Sequence, residues 1–278
     1  MGTQSTSTKG FVVPLPERAR SREILRKRIK RLLELDRDKT ELRTSVLPFL
    51  ESLGSVALIG GAIRDVARAG KRGFSSDYDF VIYGSDRSQF ATQMELLQGV
   101  RNRFGGYAVK RFKMKIDVWH IEDTWAHTEG HTRVSRPDDL LHCTFFDWDS
   151  VVYDLASGRL ILPDDYFLRL QLNVMDIRLE PNPNPVGSLV RALRRAALWH
   201  VRFGSRLTAF TRRLLLDCTW NDIVDLDMRA FAVPVLYRLN REALLKRLSL
   251  PELSPLGEVT LPVPPTDEKQ TEQLVLPL

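Results

Sequence analysis

Cysteine is nearly absent from this chain. Its 278 residues include only Cys143 and Cys218, far apart and without metal-type spacing, which argues against a disulfide framework or a cysteine-rich zinc site. Long apolar runs are missing too: none approaches the ~20 residues needed to cross a bilayer. The start, Met1-Gly2-Thr3-Gln4-Ser5-Thr6, is polar with no apolar stretch behind it, so a secretory signal is not expected. It formally fits the N-myristoylation pattern, as many short polar starts do. There is no internal repeat. A soluble, cytoplasmic protein without membrane contact is the expectation.

Charge is plentiful and uneven. Lys and Arg number 41 against 35 Asp and Glu, a net +6. Arg18, Arg20, Arg22, Arg26, Lys27, Arg28, Lys30 and Arg31 crowd one segment, where Ile24, Leu25, Ile29, Leu32 and Leu33 recur at helical spacing. The spacing predicts an amphipathic helix with a basic outer face. Such a face suits phosphate backbones and would equally serve as a solvated surface.

The layout reads as α+β: a small mixed sheet flanked by helices, followed by a helical region. Residues 1–15 are expected to be disordered and 16–54 to form a basic helical segment. An α/β domain should span 55–165, helices 166–250, and a Pro-rich flexible tail 251–278. Within the α/β part, Val56-Ala57-Leu58-Ile59 reads as a buried strand ending at Gly60-Gly61, with a helix over 62–69 behind it. Strands are expected over 77–83 and 150–154, a helix over 87–100, and a long strand or hairpin over 107–121.

Three features carry chemistry. Asp77 and Asp79 sit one residue apart on a predicted strand, so both carboxylates share a face while Tyr78, Phe80 and Ile82 pack behind. Two carboxylates side by side ask for a cation. Alone, the pair could as well be exposed turn acids. Gly60-Gly61, between strand and helix, lets backbone amides approach a phosphate. Arg64 follows as a candidate for triphosphate contact, and Asp65 for a helix-terminal or Arg-pairing role. In the segment 111–121, Arg111, Lys113, Lys115 and Asp117 alternate with Phe112, Met114, Ile116 and Val118. That pattern would place a third acid beyond a phosphate-binding row; an edge strand with solvated bases fits it too.

The segments Leu58-Ile59-Gly60-Gly61-Ala62-Ile63-Arg64-Asp65 and Ser76-Asp77-Tyr78-Asp79-Phe80-Val81 resemble motifs of the polymerase-β-like nucleotidyltransferases. More specifically, they are similar to the head domain shared by bacterial poly(A) polymerases and class II CCA-adding enzymes. Phe146 to Asp154 resembles that group's Phe-Thr-x-Asn-Ala-x-x-Tyr segment, and Leu189 to Gly204, with Arg191 and Arg194, its Arg-rich neck helix. The resemblance covers roughly 55–215. It implies transfer of a nucleoside monophosphate from a nucleoside triphosphate to a hydroxyl, with release of pyrophosphate. Asp77, Asp79 and Asp117 are the expected catalytic residues and ligands of two Mg2+ ions about 4 Å apart. Gly60, Gly61, Arg64, Lys113, Lys115 and Asp149 are the expected nucleotide-binding residues. The acceptor is expected to be a nucleic-acid 3′ end or another nucleotide.

Departures from the pattern narrow this expectation. Asp149 stands where the family has its ribose-discriminating Asn, which leaves sugar choice open, and Ser188 replaces a neck Arg. No clear Glu-Asp-x-x-Arg motif is found, and a body and tail of the kind that grip tRNA are not expected. These departures disfavour a housekeeping CCA-adding role. By analogy, the compact size points to a specialised bacterial toxin or antiviral-defence enzyme. Nucleotide transfer to a protein side chain remains an alternative, as does a non-catalytic module that binds nucleic acid. Finally, Gln273-Leu274-Val275-Leu276-Pro277-Leu278 resembles peptides that bind the DNA sliding clamp, with Gln273, Leu274, Leu276 and Leu278 as anchors. The same residues could instead pack on their own domain.

Overall fold

The computed structural model describes residues 17–35, 40–102, 104–110, 112–250 and 257–264. The expected disordered stretch 1–15, Arg111, and the clamp anchors Gln273, Leu274, Leu276 and Leu278 lie outside the described residues.

The chain enters through α1 (Arg22–Lys30), capped by Ser21, whose hydroxyl accepts from Ile24 N at 3.3 Å. Leu25, Ile29, Leu32 and Leu33 are buried as their spacing implies, whereas Ile24 is exposed. The basic face is partly structural. Arg28 donates to the carbonyls of Val66 and Ala67, Arg22 to Leu160, and Arg18 to Gln171. Arg20, Arg26, Lys30 and Arg31 remain on the surface. Wider helical turns lead to α2 (Leu47–Leu53).

Next come β1 (Ser55–Ile59), α3 (Gly61–Ala69), β2 (Tyr78–Tyr83), α4 (Arg87–Leu96), β3 (Val100–Arg101), β4 (Tyr107–Val109), β5 (Ile116–His120) and the short α5 (Trp125–Thr128). The hairpin β6 (Val152–Asp154) and β7 (Arg159–Ile161) completes a seven-stranded sheet of order β3-β4-β5-β2-β1-β6-β7. The pairing is antiparallel except between β2 and β5. This is the mixed α+β sheet expected from the sequence.

The strand period of two divides the residues cleanly. Leu58, Phe80, Ile82, Ile116 and Val118 enter the main core, which also takes up α1, α3 and the later helices. Ala57 and Val81 face the other way and pack with Ile121, Val134, Leu140 and Val152 in a smaller cluster. Trp119 packs at the edge of that second cluster and lies over Gly106, where an added Cβ would stand 2.4 Å from its ring.

The expected long strand is a hairpin, and this corrects the proposed row of cations. Val109 pairs with Ile116, so the ladder closes there and residues 110–115 form the connection. Lys113 and Lys115 therefore precede β5 rather than sharing its face with Asp117, and both are exposed.

The helical region comprises α6 (Tyr166–Leu172), α7 (Pro185–Trp199), α8 (Ser205–Asp217), α9 (Trp220–Ala230) and α10 (Arg241–Leu248). A two-stranded parallel pair not foreseen from the sequence, β8 (Val174–Met175) with β9 (Arg202–Phe203), threads between them. The tail expectation fails for 257–264. Val259 bridges to Phe203 and is buried with Leu261, and Glu258 pairs with Arg202. The apolar side chains gain burial there, and an otherwise open β-edge is covered. No helix among the described residues is long and apolar enough to cross a membrane.

Candidate active site

The site forms where the end of β1 lies beside the starts of β2 and β5. Asp79 pairs in register with Ile59 of β1 on one side and with Asp117 of β5 on the other. In parallel register the Asp79 and Asp117 side chains emerge on the same face of the sheet, opposite to Phe80 and Val118. Asp77, immediately before β2, is two residues from Asp79 and points to the same side, exposed to solvent.

These acids sense one another. Burial raises the Asp79 carboxyl well above the ordinary carboxylate range, and the charges of Asp117, Asp77 and Asp149 raise it further against the pull of Arg64. Burial and Asp77 raise Asp117 as well, opposed by a hydrogen bond from Asn102. The three acids thus stand close enough on one side of the sheet to affect one another's charge. They do not make a finished three-ligand metal set: among the described residues, no group of three or more His, Cys, Asp or Glu side chains stands ready to hold an ion. The physical reason is that Asp77 lies beyond the strand end, in solvent. Magnesium, however, keeps several waters and is usually held by one or two carboxylates plus substrate phosphates. An all-oxygen donor set with unrelieved mutual repulsion fits such an ion.

Gly60 adopts φ +71° and ψ −126°, a conformation closed to residues with a Cβ, and an added Cβ would sit 3.7 Å from Asp79 Oδ2. Its amide is bonded to the Val151 carbonyl at 3.1 Å. The donors left at the start of α3 are those of Gly61, Ala62 and Ile63, which have no acceptor within the helix. At Gly61 a Cβ would meet Ser76 Oγ at 2.9 Å, so this second glycine lets the helix lie against the turn before β2.

Arg64 is buried and committed. It donates to Asp65 Oδ1 through Nε at 3.0 Å and a terminal nitrogen at 2.8 Å, to Asp149 Oδ1 at 2.6 Å and to Ser76 Oγ at 2.7 Å. Four of its five N–H groups are thereby used, which leaves one for the triphosphate contact expected of it. Asp65 takes the Arg-pairing role foreseen for it and also accepts from the amides of Ser75 and Ser76, both at 3.0 Å. The pair thus fixes the turn that delivers Asp77.

Asp149 is likewise engaged through both oxygens, with Arg64 on Oδ1 and Arg195 on Oδ2 at 3.2 Å. Burial alone would raise its carboxyl, but Arg195 and Arg64 outweigh burial and hold it below its ordinary value. It is a buried junction between α3 and α7 rather than a free acceptor for a sugar. Its neighbour Asp147 is structural too: it accepts from Asp176 N at 2.9 Å and from Arg169 at 3.2 Å, and burial pushes its carboxyl up to about 7.

Asp149→Ala should cost about 3 kcal/mol, because it leaves two buried guanidiniums without their shared partner. The depressed Asp149 carboxyl contributes stability above the ordinary carboxylate range and loses it as pH falls through the lowered value. The acid limb of a melting-temperature-against-pH curve should therefore flatten in the variant, and an unchanged limb would disprove this account.

Sequence reasoning missed Arg195 and Ser76. Arg195 follows Arg194 directly, but helical phase turns it to the Asp149 side, whereas Arg194 points to Asp227. The available signal was i, i+4 spacing with Arg191 and Trp199 on α7. Ser76 carried no signal beyond its position before Asp77. His127 and His131, four residues apart, serve packing and hydrogen bonding: His127 Nδ1 accepts from Val134 N at 3.0 Å, and the His131 ring packs on Trp125 at 4.9 Å.

No protein-family model matches the chain, and a search of curated proteins gave no match. Comparison with solved structures returned several. A CCA-adding enzyme with CTP aligns at TM-score 0.44 and 17% identity, over 70% of this chain and 46% of its own. A tRNA nucleotidyltransferase with a primer tRNA and an incoming ATP analogue aligns at TM-score 0.44 and 18%, over 67% and 54%. The Thermotoga maritima CCA-adding enzyme complexed with tRNA aligns at TM-score 0.42 and 18%, over 63% and 43%. The chain spans about half the length of these structures.

Proposed function

We propose that the chain is a magnesium-dependent nucleotidyltransferase. It would move a nucleoside monophosphate from a nucleoside triphosphate to the hydroxyl of a nucleic-acid 3′ end or of another nucleotide, and release pyrophosphate. The observation that carries this reading is the in-register facing of Asp79 and Asp117, with Asp77 at the rim, beside a strand-to-helix turn that only glycine can make.

Asp79 and Asp117, helped by Asp77, would hold the magnesium ions. Bound there, the metal supplies neutralisation of the triphosphate and activation of the acceptor hydroxyl. The protein's own part is positioning. The amides of Gly61, Ala62 and Ile63 face an anion at the start of α3, where the helix dipole favours negative charge. Arg64 acts through Asp65, Ser76 and Asp149 and is a positioning residue. Lys113 and Lys115, exposed on the segment before β5, would meet phosphates that project to the rim.

The test is to offer each labelled ribo- and deoxyribonucleoside triphosphate with magnesium, with and without a primer. Incorporation by the full chain and none by Asp77→Ala/Asp79→Ala is the expected result. Equal incorporation by the double variant would end the assignment.

A further inference from the structure

Arg68 lies one turn beyond Arg64 on α3, and its guanidinium stacks over the Trp199 ring at 4.2 Å. Trp199 ends α7 and is half-buried, with the guanidiniums of Arg64 and Arg195 5.4 and 5.5 Å from its centre. Those two arginines are paired to Asp65 and Asp149. Arg68 is not in any ion pair among the described residues, and its buried Nε has no hydrogen-bond partner.

The ordinary use of an arginine in the last turn of a helix, bonding the terminal carbonyls, is already filled here. Val66 O and Ala67 O accept from Arg28, Ala67 O also from Ala19 N, and Val66 O from Gly70 N. Burial lowers the Arg68 pKa to about 10, and although Asp65 draws it up, Arg64 and the nearby Arg18 press it down. Beside Trp199, the carboxylates of Asp65 and Asp149 are taken up by Arg64 and Arg195, and neither forms an ion pair with Arg68. An unpaired, partly desolvated guanidinium is costly unless an anion completes it.

We propose that Arg68, backed by Trp199 and flanked by Arg18, is a phosphate-binding subsite, next to the Asp77–Asp79–Asp117 face but separate from it. That the phosphate belongs to a nucleotide or a nucleic-acid strand rests on the nucleotidyl-transfer reading. The existence of the subsite does not. Arg68 gives the charged fork, and Trp199 holds that fork flat, so that its outer N–H groups are presented rather than folded back onto α3.

The experiment measures equilibrium binding of two probes to the full chain without turnover: a short labelled single-stranded RNA and ATP, each across a salt series. Arg68→Gln should weaken at least one probe by about tenfold, the value of one charge-assisted contact. If the strand is the ligand, the slope of log affinity against log salt should fall by about 0.7. Arg68→Lys should keep that slope while losing part of the affinity. A loss confined to RNA assigns the phosphate to the acceptor strand, and a loss confined to ATP assigns it to the incoming nucleotide. Unchanged affinity and slope for both probes in a folded Arg68→Gln variant overturns the proposal. Because binding is read directly, a chain that incorporates nothing can still pass this test, and an active one can fail it.

Discussion

Asp79→Asn is expected to abolish nucleotide incorporation while making the isolated protein more stable. The loss follows from removing the carboxylate that pairs with Asp117 across β2 and β5. If a metal held there supplies several kcal/mol of charge stabilisation, activity falls by about 10^3-fold or more. The gain follows from electrostatics. The Asp79 carboxyl is raised by burial and by Asp117, Asp77 and Asp149, so its contribution to stability is fully present below the ordinary carboxylate pKa and lost as pH rises through the raised value. Asparagine, neutral throughout, avoids that loss at neutral pH. The melting temperature should rise at pH 7, by about 2–4 °C for each kcal/mol relieved, and converge on wild type in acid. Magnesium should raise the wild-type melting temperature more than that of the variant. A variant that melts lower than wild type at pH 7, or responds equally to magnesium, contradicts the placement of the charge.

Asp227→Ala is expected to have the largest effect on stability of any single change in the helical region. Asp227 is fully buried on α9. It accepts from Arg194 of α7 on one oxygen and from the amides of Val235 and Leu236, at 2.7 and 2.9 Å, on the other. Arg194 also lies over the Phe231 ring and donates to Val233 O. Removing one member of a buried pair costs about 3–5 kcal/mol, a drop in melting temperature on the order of 10 °C for a chain of this size. Replacing both partners by hydrophobes (Arg194→Met with Asp227→Leu) should recover much of it, since the surviving charge is no longer stranded. A drop of under ~1 kcal/mol in the single variant would mean that water reaches the pair.

Much of the sheet and its acids was legible in the sequence, because period-two alternation and glycine placement are local signals. Asp77 and Asp79 could be placed on one side from spacing alone, and Asp117 on the polar face of its own strand. What spacing cannot give is register. Whether 107–121 was one strand or two depended on where β4 stopped pairing with β5, and that choice moved Lys113 and Lys115 off the strand. Nor can it give long-range partners. Arg64 and Asp149 are 85 residues apart in sequence, so spacing could not show that they bond to each other at 2.6 Å. Arg195 was overlooked for the same reason. The packing of Val259 against Phe203 was hidden because a Pro-rich composition says nothing of a partner strand.

The closing of the hairpin at Val109 and Ile116 has a consequence for how this chain can diverge. Length changes beside the exposed Lys110 alter a surface crossing, whereas Phe112 and Met114 pack on the core and the Lys115 carbonyl accepts from Tyr78 N between the acids, so these must keep their places. A single residue gained inside β5 before Asp117 would turn that acid to the opposite side of the sheet. Length variation among relatives should therefore accumulate beside Lys110 and stop short of Phe112.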